Sequence, residues 1–458
     1  MAGDLLYVAE NALVAHRAAL QVIGNNIANA QTPGYVRERP ELAVVPGAFS
    51  GSVTGSALGH GVELVTVQRL QDRLLSGQIE RQAGRSGYFS GRSSSLGQAE
   101  ALFSDLQGQG ISDDLGRFFS TWNTLAASPG NQGARVEALQ AAGSLADSFN
   151  QRAAELNNLR DKLDQQVQDQ VTQVNHKLTS LAELNRRLPE CATSAARAGL
   201  SDQQDVLLSD LAGLTGAEAL RYDDGTVDLV LGGQRLLQGG QAHELRTEPD
   251  PLQPGRVQVV LAYSGQSAPL KGQIGGELEV RDQAITQYLS HLDTLAQTLA
   301  DTVNPIHQQG FDLAGNSGLP LFTYSAAAAA HTLTVNPLLV GHPESLAAGL
   351  DGTAGDGSNA LALASVRDSK LLQGGRATLE QDYADLVSEI GSDTAAAENL
   401  QEAADSVQRG LQNQYDSVSG VNLDEEGVDL IRFQQAYQAA SRVVTTALAL
   451  MDTLLQIK

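Results

Sequence analysis

The chain is 458 residues long and carries nine Phe, ten Tyr and one Trp against 46 Gly, which suits thin layers of Ala, Leu and Val between helices better than a ring-filled enzyme core. Lys and Arg total 30 against 53 Asp and Glu, and the net charge of −23 excludes a phosphate-backbone partner and disfavours adsorption to anionic lipid. The single cysteine, Cys191, rules out an intrachain disulfide.

The N-terminus does not read as a secretory signal. Asp4 stands where such a segment is basic, and Glu10, His16 and Arg17 interrupt its apolar residues. No run approaches the roughly eighteen apolar residues of a membrane span. Leu6, Leu13, Leu20 and Ile27 fall seven apart, with Ala9, His16 and Ile23 three residues after the first three. That spacing predicts a helix with an a/d seam, ending near Asn29 because Thr32-Pro33-Gly34 cannot continue it.

Residues 36–70 read as strands and turns, and 71–128 as largely helical, broken by glycine clusters near 84–91 and 108–116. From Leu145 to Leu188 the apolar residues keep three-four spacing, and Pro189 ends the helix. The period then changes. Tyr222 to Thr226 predicts a hairpin turn into Val227 to Leu231, and Arg256 to Tyr263 alternates again. A further helix is expected from Leu278 to His307, then a Gly- and Ala-rich loop over 311–357 with a short strand at Thr332 to Val335. Helices resume from Asn359 to Tyr415.

The chain ends as it began. Leu430, Tyr437, Val444 and Met451 fall seven apart, with Phe433, Ala440, Ala447 and Leu454 as the companion row. Asn422 and the acidic run Asp424-Glu425-Glu426 supply the cap and the negative charge that a helix start favours. Charged residues are sparse on both terminal helices, whose backs carry Ala, Val, Thr, Gln and Asn. A coiled coil in water has charged flanks. These two helices are therefore expected to be packed all round by neighbours that one monomer cannot supply, and to fold when subunits stack.

No catalytic, cofactor-binding or metal-binding residue is assigned. The eight histidines are scattered, with no H-E-x-x-H, and neither a phosphate-binding loop nor a nucleophile elbow is present. Gly349 to Gly357, with Asp351 and Asp356, fits no calcium-loop spacing and reads as a mobile surface loop. Phe311 to Asn316 reads as a turn, and Asp424 to Glu426 as a complement to the helix dipole. Cys191 has no nearby base and reads as an unreactive thiol.

The segment Asn25 to Tyr35, through Asn25, Asn26, Asn29, Thr32, Pro33, Gly34 and Tyr35, resembles the N-terminal signature of the flagellar rod, hook and hook-associated protein family. Ser419, Gly420, Val421, Asn422, Leu423, Asp424, Glu425 and Glu426, followed by Phe433 to Tyr437, resemble its hook-associated members. Asp202 to Leu208, Gly275 to Leu278, His307 to Phe311 and Asn359 onward are similar as well. Gln204 replaces the arginine of the family's D-x-R-D pattern, Gly427 should weaken the last helix start by up to about 1 kcal/mol, and the middle excursion is short.

The resemblance implies a mainly α fold with a β-rich inserted domain in a nested architecture. Residues 1–35 and 423–458 would be terminal coiled-coil polymerisation helices. Residues 36–195, 273–310 and 358–422 would form a helical domain, and 196–272 with 311–357 an outer β-rich domain. It implies a non-enzymatic adaptor at the hook–filament junction, without cofactor or metal, exported by the flagellar type III pathway. Its partners would be the hook protein, hook-associated protein 3, further copies of itself in a ring or tubular layer, and an export chaperone on the C-terminal helix; no nucleic acid or membrane is involved. A hook or distal rod protein is the nearest alternative. A secreted enzyme or effector with a site hidden in the middle is the distant one.

Overall fold

The structure, a computed structural model, describes residues 2–46, 59–104, 110–251 and 253–456. Its first helix, α1 (Ala2–Asn29), is followed by an antiparallel hairpin of β1 (Glu38–Val44) and β2 (Val62–Arg69). The register runs from Glu38 opposite Arg69 to Val44 opposite Val62, with one shift between Glu41 and Leu42. Three helices come next: α2 (Arg73–Phe103), α3 (Ile111–Ala127) and the 56-residue α4 (Gln132–Arg187). The starts of α2 and α4 are chemically marked. The Asp72 carboxylate accepts the amides of Leu74 and Leu75, and the Asn131 side chain those of Gly133 and Ala134.

The expected breaks in α2 are absent. The helix runs without interruption through 84–91, because its glycines serve packing rather than termination. A Cβ on Gly87 would lie 2.1 Å from the carbonyl oxygen of Gly213, so only glycine lets α2 lie this close to the next helical layer. Of the second predicted cluster, 105–109 lie outside the described residues, and α3 passes through Gly116 unbroken.

Helix α5 (Ser194–Thr215) occupies the start of the segment expected to be β-rich. It begins at Thr193, whose hydroxyl accepts the Ala196 amide, and ends at Gly216, in the left-handed region at φ 75°. The sheet reading holds only beyond it. Strands β3 (Glu218–Arg221), β4 (Val227–Leu231), β5 (Gln234–Gln238) and β6 (Gln241–Ala242) form a four-stranded antiparallel sheet in chain order. The turn at Tyr222 to Thr226 joins β3 to β4, and β7 (Leu245–Pro249) pairs with β8 (Val257–Leu261). Helix α6 (Gln273–Glu279) then passes through a π-helical stretch, Val280–Ala284, into α7 (Ile285–Gln309).

Residues 311–357 are not the expected β-rich module. They hold two strands of two residues, β9 (Phe322–Thr323) and β10 (Thr334–Val335), and the short helix α8 (Ala329–Thr332) between them. Leu321, Phe322, Leu333, Leu339 and Leu346 from this segment are buried in the same core as α3, α4 and α7. The segment is a lid on the helical core, and its buried residues lack helical or strand periodicity because loops carry most of them. Within Gly349 to Gly357, Leu350 to Gly355 form an exposed loop tied by Asp356, which accepts the amides of Leu350, Asp351 and Ser358 at 2.5, 3.0 and 2.9 Å. Helices α9 (Ser358–Ser365), α10 (Leu379–Ser419) and α11 (Leu423–Gln456) complete the chain. The fold is mainly α with small antiparallel sheets.

Two hydrophobic cores are stacked along α4. The larger gathers Leu96 to Phe103 of α2, α3, Ala134 to Leu163 of α4, α7 and the 321–397 residues. The smaller gathers Val167 to Ala182 of α4, Leu208 and Leu211 of α5, and β4, β5 and β8. Terminal helices α1 and α11 belong to neither; each packs chiefly on the other, with the β1–β2 hairpin against α1.

Candidate functional site at the joined chain ends

Helices α1 and α11 run antiparallel. Asn26, near the end of α1, meets Glu426, near the start of α11, and about two to three turns further along the His16 and Phe433 rings lie 6.0 Å apart. The paired faces are small and apolar. Ala9, Ala15, Ala19, Val22 and Ile23 are buried on α1, and Ala440 and Ala447 on α11. The structure therefore gives each terminal helix one partner within the chain, whereas the two were expected to fold only when subunits stack.

The proposed seam residues divide by row. The companion rows, with Ala9, Ile23, Phe433, Ala440 and Ala447, turn toward the pair, although Phe433 is only half-buried. The first rows lie at its rim. Leu6, Leu13, Leu20, Leu430 and Val444 are half-buried, while Ile27, Tyr437 and Met451 are 37 %, 37 % and 39 % exposed. The Leu454 side chain lies outside the described residues. Beyond the rim, Leu5, Tyr7, Val14, Val428, Ile431, Val443, Leu448 and Leu450 present large apolar side chains to solvent. Eight large apolar side chains exposed on two paired helices suit an interaction surface.

A buried polar clasp fastens the pair at one end. The Asn26 side-chain amide donates to Glu426 Oε2 at 3.0 Å and to the Glu38 carbonyl at 2.8 Å. Its oxygen accepts the Tyr35 hydroxyl at 2.9 Å and the Glu38 amide at 3.0 Å. All of the bonding capacity of that amide is thus directed at three other segments. Arg37 closes the ring, with Nε donating to Glu426 Oε1 at 2.7 Å and Nη1 to Glu425 Oε2 at 2.6 Å. Its backbone amide donates to the Ser419 carbonyl at 2.9 Å, which holds the end of α10 to the segment leading into β1.

The electrostatics follow from this enclosure. Burial alone would lower the Arg37 pKa, but Glu425 and Glu426 outweigh it and hold the guanidinium charged more firmly than usual. Burial pushes the Tyr35 hydroxyl well above its ordinary pKa, with Glu38, Asp202 and Glu426 adding to the effect, so it stays a donor. Glu38 is pushed up mainly by burial, then by Asp202.

The other signature residues shape the backbone around the clasp. Asn29 donates to the Asn25 carbonyl at 3.1 Å, and the Thr32 hydroxyl to Asn29 Oδ1 at 3.2 Å, closing the turn after α1. Gly34 sits at φ +79°, where a Cβ would fall 2.5 Å from Cγ2 of Val206. This seats the Thr32-Pro33-Gly34 turn on α5. Asn422 caps α11 by accepting the Asp424 amide at 3.1 Å. The acidic run therefore does more than complement the dipole: Asp424 is exposed, while Glu425 and Glu426 grip Arg37.

A second ionic layer lies behind the first. Arg69, opposite Glu38 in the hairpin, reaches Asp202 at 2.5 Å and Asp205 at 3.0 Å on α5. Asp205 also meets Arg221 at 3.1 Å, and Arg221 pairs with Glu80 of α2. Gln204, in place of the family's arginine, is buried and donates to Asn185 at 3.0 Å and to the Gly225 carbonyl at 3.2 Å. The clasp is thus wired through the hairpin into the body. Sequence reasoning missed Arg37, Glu38 and Arg69, and nothing in their local spacing marks them. Among the described residues no group of His, Cys, Asp or Glu could hold a metal ion, and no helix is long and apolar enough to cross a membrane.

Comparison with known proteins gives consistent matches along the whole chain. Residues 96–322 match the family profile of the flagellar hook-associated protein FlgK helical domain. Residues 6–35 match that of flagella basal body rod proteins, and 412–457 that of the flagellar basal body rod FlgEFG protein C-terminal. The flagellar hook-associated protein 1 of Bacillus subtilis is 27 % identical over 494 residues, covering 98 % of this chain and 96 % of that one. The protein of the same name from Salmonella typhimurium is 28 % identical over 557 residues, covering 99 % and 100 %. The flagellar hook junction protein FlgK of Burkholderia pseudomallei has a similar fold, with a TM-score of 0.67 at 16 % identity over 75 % of this chain and all of that one.

Proposed function

Because the chain belongs to the family of flagellar hook-associated proteins, a group of structural proteins rather than enzymes, we propose that it joins hook to filament by polymerising through α1 and α11. The observation that carries this reading is the half-covered terminal pair. One face of each helix is satisfied within the chain, and the outer face carries the large apolar side chains Leu5, Tyr7, Val14, Val428, Ile431, Val443, Leu448 and Leu450 among polar ones. Burying that face against neighbouring copies gains about 25 cal/mol per Å², a gain repeated in every subunit of a ring. The clasp at Asn26, Arg37 and Glu426 fixes the register of the two helices before any copy arrives, which lowers the ordering cost of assembly.

On this reading the first-row seam residues Leu6, Leu13, Leu20, Ile27, Leu430, Tyr437, Val444 and Met451, at the rim of the pair, contact other copies. Residues 1–35 and 423–458 are the polymerisation unit, and the helical body presents surfaces to the hook protein on one side and hook-associated protein 3 on the other. The protein leaves the cell by the flagellar type III route, with a chaperone covering the apolar face of α11 beforehand. The profiles matching the two ends are those of rod proteins, so the ends alone would equally suit a rod or hook protein; the match over 96–322 favours the junction. Cells lacking the protein test this directly. Hooks without filaments, restored by the gene on a plasmid, are expected; normal filaments would reject the proposal.

A further inference from the structure

The two hydrophobic cores do not merge where they meet. On α4 the last residue of the larger core is Leu163 and the first of the smaller is Val167, and between them Asp164 is buried. On the α6–α7 path Ile274 belongs to the smaller core and Val280 to the larger, with buried Glu277 between them and buried Arg281 beside Val280. Side chains at this level are joined by polar contacts. Arg281 pairs with Asp164, and also with Asp282 at 2.7 Å and the Val257 carbonyl at 2.8 Å. Gln170 donates to Glu277 at 2.9 Å, and Arg256 reaches Asp161 at 2.9 Å and Asp164 at 3.6 Å.

The helices crossing this level carry the features that let helices bend. Arg281 lies within the π-helical stretch Val280–Ala284, where the regular hydrogen-bond ladder is replaced by a wider one. Helix α2 crosses with Ser86-Gly87 and Ser90-Gly91, and Gly91 comes against the Gln273 backbone of α6. Sharp bends in helices occur at Gly/Ser pairs and at π-bulges, and both occur here, the Ser-Gly pairs of α2 against Gln273 and the π-helical stretch about two turns further along the α6–α7 path. Apolar cores are close-packed and resist deformation, whereas a thin ionic layer can exchange partners as its groups slide.

From this coincidence we infer that the body has a joint between its two cores, at the Asp164–Arg281 layer, about which the smaller core moves relative to the larger. The layer sets a defined resting angle, because a buried ion pair fixes geometry more than it adds stability. The Glu277 and Asp282 carboxylates and the Arg256 guanidinium line the same level and offer alternative partners when the angle changes. This inference stands on the body alone and is independent of how the terminal helices assemble.

Hydrogen exchange on the full-length monomer tests it. Amides of 84–91, 164–168 and 278–284 should exchange at least about tenfold faster than those of 138–156, 171–182 and 288–303 on either side. In Asp164→Leu/Arg281→Met, which converts the layer to apolar packing and leaves Arg256 with Asp161, the difference should fall to about threefold or less. Uniform protection across the level in the native protein would overturn the joint whether or not the double variant folds. An undiminished difference in a folded double variant would overturn the role of the ionic layer.

Discussion

Asn26 and Glu426 stand 400 positions apart in the chain and are bound side chain to side chain at 3.0 Å, in a site that leaves neither exposed. The contact explains why the two ends carry their signatures together. One of the two N–H groups of the Asn26 amide is satisfied only when a carboxylate arrives at 426, and that carboxylate needs Arg37 to balance its charge.

Removing one member of this group strands the others. Glu426→Ala leaves the Arg37 guanidinium, 19 % exposed, without its buried partner, and should loosen the terminal pair by about 3 kcal/mol. Asp424→Ala, at an exposed position of the same turn, should cost under about 1 kcal/mol. Protease susceptibility of α11 in dilute monomer distinguishes them, with Glu426→Ala cleaved far sooner. Equal rates would mean that the clasp does not hold the pair.

His307 gives the body a pH dependence. It is fully buried, its Nδ1–H donating to the Leu319 carbonyl and its Nε2 accepting the Ala347 amide at 3.0 Å. Burial lowers its pKa from 6.5 to about 4. Above pH 6.5 both folded and unfolded chains hold it neutral, and its contribution is intact. As pH falls from 6.5 toward 4 the unfolded chain binds a proton that the folded chain refuses, so stability drops by roughly 3 kcal/mol. Denaturant unfolding at pH 7 and pH 4.5 should show a loss about 2–3 kcal/mol smaller in His307→Gln than in the native protein. Identical losses would show that His307 titrates normally.

The long helices are legible because burial on one face leaves a period in the sequence. Leu156, Leu163 and Leu178 of α4 are all buried, as their spacing implies. The meaning of small residues and of loops is not legible in the same way. Gly84, Gly87 and Gly91 read as breaks, since a glycine at a close helix contact and one at a terminus look alike in one dimension. Helix α5 is hidden by the shift of pattern after Pro189, although Thr193 and Gly216 mark its ends. The 311–357 lid has no period because irregular backbone turns its apolar residues inward. Asn26, Tyr35 and the acidic run of the clasp show in the sequence, whereas Arg37 and Glu38 do not, since long-range pairing leaves no local spacing.

The glycines of α2 separate close approach from open surface. Gly87→Ala would place a methyl 2.1 Å from the Gly213 carbonyl and should lower stability by about 1–3 kcal/mol as α5 is pushed away. Gly97, in the same helix, has nothing within 4 Å of the point a Cβ would occupy, so Gly97→Ala should stabilise by about 0.5–1 kcal/mol. Thermal unfolding of the two variants should shift in opposite directions. A shift of Gly87→Ala upward would contradict the packing described for α2.

The most direct measurement concerns Ile431, which is 56 % exposed on the open face of α11. Its side chain supports little within the monomer, so Ile431→Asp should leave monomer unfolding within about 0.5 kcal/mol of native. In the assembly the same carboxylate would be buried against apolar neighbours in every subunit, at a cost of several kcal/mol each. Electron microscopy of cells carrying only Ile431→Asp, with the variant shown to be exported, should reveal hooks without filaments and filament protein in the medium. Filaments of normal number and length on those cells would contradict assembly through the open face of the terminal pair.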